Sequence, residues 1–126
     1  MAIKLNWNAF EHAKTLISEG KYVYDERAAW SEDQPSTQKE NEFLRAHGFP
    51  EYAQWYLGIN DDKTEDTKGA YEFPYGDFEK VHRCGVISAE SRAGQYKHSD
   101  IERAAARLHE MIEQAEHRTT HHSYTH

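Results

Sequence analysis

Aromatic rings outnumber branched aliphatic side chains in this chain: eight Tyr, five Phe and three Trp stand against fourteen Leu, Ile and Val. Leu, Ile, Val and Phe together make up about 15% of the 126 residues, below the roughly 20% at which chains tend towards disorder. The rings offset that deficit, because each can bury on the order of 150–250 Å². Any core must therefore be small and stapled by aromatics. At 126 residues and 14.7 kDa the length suits one domain of ordinary size.

Charge restricts the partners. Fifteen Lys and Arg against 22 Asp and Glu give a net charge of −7, a field that repels phosphate backbones and anionic lipid, so neither nucleic acid nor a membrane surface is expected. Nine His residues make that charge sensitive to pH near 6. A single cysteine, Cys84, excludes an intramolecular disulfide and a Cys-rich zinc module. The start, Met1-Ala2-Ile3-Lys4-Leu5-Asn6, has no apolar leader stretch and no segment reaches ~20 apolar residues, so the expectation is a cytoplasmic protein.

Helical signals dominate the pattern. Asn8 with Glu11 makes an Asn version of the capping box for a helix over about 9–19, with Phe10, Ala13, Leu16 and Ile17 inward and Gly20 as its stop. Tyr22-Val23-Tyr24 reads as a short extended piece. Thr37 and Glu40 box a second helix that places Phe43 and Leu44 inward and closes at Gly48. Phe49-Pro50 opens a short third helix carrying Tyr52, Trp55, Tyr56 and Leu57 up to Gly58. Residues 60–69 hold no apolar side chain beyond glycine and read as a solvated loop, while Tyr71-Glu72-Phe73-Pro74 is extended. Asp77 is placed to cap a fourth helix with a face of Phe78, Val81, Gly85, Ser88, Ala89 and Arg92. That small-residue face suits either internal packing or a second copy. Ser99 and Glu102 box the last helix, whose stripe is Ile101, Ala104, Ala105, Leu108, Met111, Ile112 and Ala115. Residues 117–126, rich in His, Thr and Ser, read as a flexible tail. The fold class is thus mainly α: a compact bundle of four to five helices over residues 1–116, with room for one short two-stranded pairing of Tyr22–Tyr24 with Tyr71–Phe73.

Few patterns carry chemistry. Residues 61–66 fail as a calcium loop, since Lys63 and Asp66 fall where a ligand and the turn glycine belong. His109-Glu110-Met111-Ile112-Glu113 resembles half of a helical zinc-protease signature, but Glu113 stands where the second His belongs. His82, His109 and Glu113 are the candidate metal ligands, with His98 as a further imidazole. Cys84 beside His82 and Arg83 invites a nucleophile reading, but residues two apart on a helix diverge, and a buried structural cysteine is the simpler assignment. Neither a phosphate loop nor a Ser-His-Asp order is present, so no catalytic residue and no cofactor is assigned.

The densest segment is Thr67-Lys68-Gly69-Ala70-Tyr71-Glu72-Phe73-Pro74-Tyr75-Gly76-Asp77-Phe78, followed by Val81-His82-Arg83. With Ala89-x-x-Arg92-Ala93, Glu40-Asn41-Glu42-Phe43-Leu44 and Trp55-Tyr56-Leu57-Gly58, it resembles a family of small uncharacterised bacterial proteins over most of residues 10–115. Tyr71, Pro74 and Asp77 are also similar in spacing to a Tyr-x-x-Pro-x-x-Asp module of phage proteins associated with head-maturation proteases. No protease residues accompany that similarity. The resemblance implies a compact helical accessory module of unassigned activity.

The expected function is a non-catalytic protein-binding or assembly module, or a self-associating one. Its surface would be the aromatic and Arg corner of Tyr71, Phe73, Tyr75, Asp77, Arg83 and Arg92, residue types that anchor interfaces. The alternative is a metal-binding protein or metal-dependent hydrolase built on the His and Glu side chains named above.

Overall fold

The computed structural model describes residues 3–124, with side chains to residue 118. In chain order the elements are β1 (Ile3–Leu5), α1 (Trp7–Ser18), β2 (Tyr22–Val23), α2 (Trp30–Asp33), α3 (Thr37–Ala53), β3 (Tyr56–Asn60), β4 (Tyr71–Pro74), β5 (Val81–His82), α4 (Arg83–Gln95) and α5 (Ser99–Tyr124). The protein is mainly α, with five helices among the described residues. No described helix is long and apolar enough to cross a membrane.

The helices carry the expected apolar stripes, with shifted starts. α1 buries Ala9, Phe10, Ala13, Leu16 and Ile17, but its cap is Asn6 rather than Asn8. Asn6 is 4% exposed. Its Oδ1 accepts from the Ala9 N–H, while its Nδ2 donates to the Ala53 and Tyr56 carbonyls at 2.9 and 3.1 Å. Those long-range bonds satisfy backbone groups at the α3–β3 junction that an exposed Asn8 does not reach. Ser36 caps α3, one residue before the expected Thr37, by accepting from Lys39 N–H. That leaves Glu40 to pair with Lys68 at 3.0 Å. Gly48 (φ 83°) breaks α3 where the second helix was expected to stop, and Pro50 restarts it. α5 buries Ile101, Ala104, Ala105, Leu108 and Ile112. Its helical backbone runs to Tyr124, into the segment expected as a tail, whose last two residues lie outside those described.

Three expectations fail in the middle of the chain. Tyr56 and Leu57 belong to β3, not to a helix. β3 is the centre of a three-stranded antiparallel sheet in the order β1-β3-β4, with Leu5 and Glu72 both opposite Gly58. Tyr22–Tyr24 does not pair with Tyr71–Phe73 either. β2 runs parallel to β5, with Tyr22 opposite Val81 and Val23 opposite His82, while β4 takes the edge of the larger sheet. The fourth helix begins at Arg83, because Asp77 caps a turn instead. Its Oδ1 accepts from the Glu79 and Lys80 N–H groups at 2.9 and 2.8 Å, and Phe78 takes φ 70°, which a helix cannot accommodate.

Rings build the core, as the composition requires. Phe78 stacks on Phe43 and Tyr52 with centroids 4.6 and 5.8 Å apart, and Trp55 stacks on Tyr75 at 5.6 Å. The polar ends are satisfied inside: the Tyr52 and Tyr56 hydroxyls bond at 2.8 Å, and the Tyr75 hydroxyl donates to Gln54 O at 2.6 Å. The small-residue face of α4 is internal, with Gly85, Ala89 and Ala93 buried.

Candidate metal centre

The parallel pairing of β2 with β5 creates the site. Val23 lies opposite His82, so Asp25, two residues further on, arrives at the first turn of α4. No side chain at His82 caps that helix. Asp25 does so from across the fold, its Oδ1 accepting the Cys84 N–H at 2.8 Å, where a carboxylate also meets the positive end of the helix dipole.

Four side chains then converge. His82 Nδ1 is 2.7 Å from Asp25 Oδ2, and Cys84 Sγ is 3.0 Å from the same oxygen. Asp33, the last residue of α2, places Oδ2 3.9 Å from both His82 Nδ1 and Cys84 Sγ. The four donor atoms, two carboxylate oxygens, an imidazole nitrogen and a thiol sulfur, all lie within 4.8 Å of one another. The other imidazole nitrogen, His82 Nε2, meets Asp77 Oδ2 at 2.8 Å, so one ring is fixed between two carboxylates. Gly85 supports the wall beside it. A Cβ there would come within 2.8 Å of the Tyr75 carbonyl and 2.9 Å of the Trp30 ring, so only glycine lets Trp30 lie against α4 next to His82.

The site is inset and rich in negative charge. Cys84 is wholly buried and His82 7% exposed, whereas a third of the Asp33 side chain is open to solvent. Burial raises the Asp25 carboxyl, but hydrogen bonds from Cys84 and His82 outweigh it and hold it down to about 2. The same competition, won by His82 and the turn N–H groups, holds Asp77 well below the usual carboxylate range. Asp33 moves the other way, since sharing a proton with Asp25 raises it. Burial opposes charging of His82, yet Asp77 and Asp25 raise it overall. Burial, reinforced by Asp25, pushes the Cys84 thiol far up, which excludes it as a free thiolate nucleophile at neutral pH. The neighbouring guanidinium does not neutralise the cluster. Arg83 turns its Nε to Glu113 and lies over the Tyr24 ring, giving only an N–H to the Asp25 carbonyl.

The expected site residues divide between core and cluster. Phe73 and Tyr75 are buried in the core and Tyr71 is half-buried, its hydroxyl donating to Glu65 O. Phe73 and Tyr75 are therefore packing residues rather than exposed contacts. Arg83 is tied to Glu113, and Arg92 stands exposed on α4. The proposed metal set of His82, His109 and Glu113 does not assemble. His109 meets Glu90 and Glu113 at 3.2 and 3.1 Å, Glu113 is shared with Arg83, and His82 belongs to the other cluster. His98 lies edge-on to Phe73. No sequence pattern points to Asp25 or Asp33, and the sequence reads Cys84 only as a nucleophile or a core residue. The available signal was His82-x-Cys84 read as a strand-to-helix junction, where two side chains two apart can meet one group.

The chain matches no family model, no curated protein and no solved structure.

Proposed function

We propose that the protein is a metal-binding protein whose centre is formed by Asp25, Asp33, His82 and Cys84, with Asp77 positioning His82. The convergence of four donor atoms of three chemical kinds carries this reading. Around a tetrahedral zinc-class ion with bonds of about 2.0–2.3 Å, ligand atoms sit roughly 3–4 Å apart. The hydrogen-bonded distances of 2.7 and 3.0 Å need to widen slightly and those of 3.9 Å to hold or contract. Sulfur and imidazole together favour zinc, cobalt or nickel over calcium and magnesium. The carboxylate–imidazole pair of Asp77 and His82 fixes the ring so that Nδ1 faces the donors, as ligand histidines are usually held. A divalent ion would also offset the surplus of carboxylates and take the thiol proton's place on sulfur.

The single cysteine makes the test specific. Titrating the metal-free full chain with cobalt(II) should give one equivalent of binding with a sulfur-to-cobalt charge-transfer band in the near ultraviolet, which imidazoles of residues 117–126 cannot produce. Cys84→Ser should abolish the band. If the wild type shows no band, the cluster is a hydrogen-bonded bolt between β5, α4 and the segment 24–33.

A further inference from the structure

Resting on that reading, we infer that Asp33 is the exchangeable ligand of the centre and that its position is a binding site for a small monocarboxylate. The four donors are unequal. His82 and Cys84 are buried at the end of β5 and in the first turn of α4, and Asp25, whose side chain is 11% exposed, meets them at 2.7 and 3.0 Å while capping that turn. Asp33 is hydrogen-bonded to Asp25 but lies 3.9 Å from both His82 and Cys84, is a third exposed, and belongs to a four-residue helix. Three inset ligands with a fourth on the solvent side is the arrangement of metal sites that accept an outside ligand, whereas sites serving structure alone close all four positions.

Charge selects the class of that ligand. A divalent ion held by one thiolate, one carboxylate and a neutral imidazole is electrically neutral, so its fourth position favours a monoanion or water. Dianionic phosphate is opposed by Asp77 on the far side of the His82 ring, by Glu32 next to Asp33 in the chain and by the net charge of −7. A carboxylate is what the fold itself places there.

The test compares the cobalt-loaded full-length wild type with Asp33→Ala and Asp33→Asn, each titrated with acetate against chloride at equal ionic strength. Both variants should keep the sulfur-to-cobalt band, with the cobalt Kd raised no more than about tenfold, less than the 10–100-fold typical of disturbing a ligand's support. Acetate should shift the visible cobalt spectrum of both variants at concentrations at least about tenfold below those needed for the wild type. Loss of the band in both variants would make Asp33 an integral ligand of a closed site and overturn the inference while leaving the metal centre standing. A retained band with a spectrum indifferent to acetate would overturn it as well. Absence of the band in the wild type would remove the centre itself, and this site with it.

Discussion

At the scale of single residues, Cys84 and Asp77 separate what the cluster does from what it contains. Cys84 is wholly buried and its thiol donates to Asp25, so two conditions for alkylation, access and thiolate, are both absent. In the metal-free folded protein it should react with a thiol reagent several orders of magnitude more slowly than in urea, and at a rate that follows unfolding. Rapid stoichiometric labelling of the native chain would contradict the burial. Asp77 touches no other donor of the group but holds His82 Nε2. Asp77→Asn should weaken cobalt binding about 10–100-fold while preserving the sulfur-to-cobalt band, whereas a residue serving only the 77–80 turn would leave the Kd unchanged. His82 and Cys84 stand two apart in the sequence, but the pattern groups His82 with His109 and Glu113 and reads Cys84 as core, so of the four only His82 is legible as a candidate ligand. Asp25 and Asp33 are not, because their carboxylates come from 57 and 51 residues away and are brought in by a two-residue parallel pairing.

At the scale of elements, the strength of a sequence signal followed the length of the element. The stripe of α5 and the break at Gly48 were readable because each rests on local periodicity or backbone geometry. The strands β1, β2 and β5 are two or three residues long, too short for alternation to be seen, and their partners are remote. Local capping signals also misled where tertiary bonds competed, as Asn6 against Asn8 shows. Asn6→Ala removes a cap and two bonds to backbone carbonyls, one of them buried, and should cost about 1–3 kcal/mol in urea denaturation. Asn8→Ala, at an exposed position, should stay within about 0.5 kcal/mol. Equal losses in the two variants would return the cap to Asn8. In α4, Gly85→Ala sets a methyl against the Tyr75 carbonyl and the Trp30 ring. It should cost about 1–3 kcal/mol and alter Trp30 fluorescence as the ring is displaced from the site wall.

For the whole molecule, stability depends on a core whose polar ends are phenols. Burial raises the Tyr75, Tyr56 and Tyr52 hydroxyls above their ordinary value of 10.0, Tyr75 and Tyr56 far above it. Each therefore favours the folded state fully below the unfolded value, and that contribution declines as pH rises past it towards the folded value, because the unfolded chain loses the proton first. Stability should accordingly be flat in this respect up to about pH 10 and fall above it. Tyrosinate absorbance should rise in two stages. Tyr24, exposed outside the core, can ionise with the fold intact, whereas Tyr52, Tyr56 and Tyr75 should ionise only together with loss of far-ultraviolet helical signal. The Tyr24 hydroxyl is itself raised above its ordinary value, since it donates to Glu113. A single smooth titration of all the phenols with the helices still present would mean that the ring core is open to water, and would remove the rigid support on which the placement of His82 and Cys84 depends.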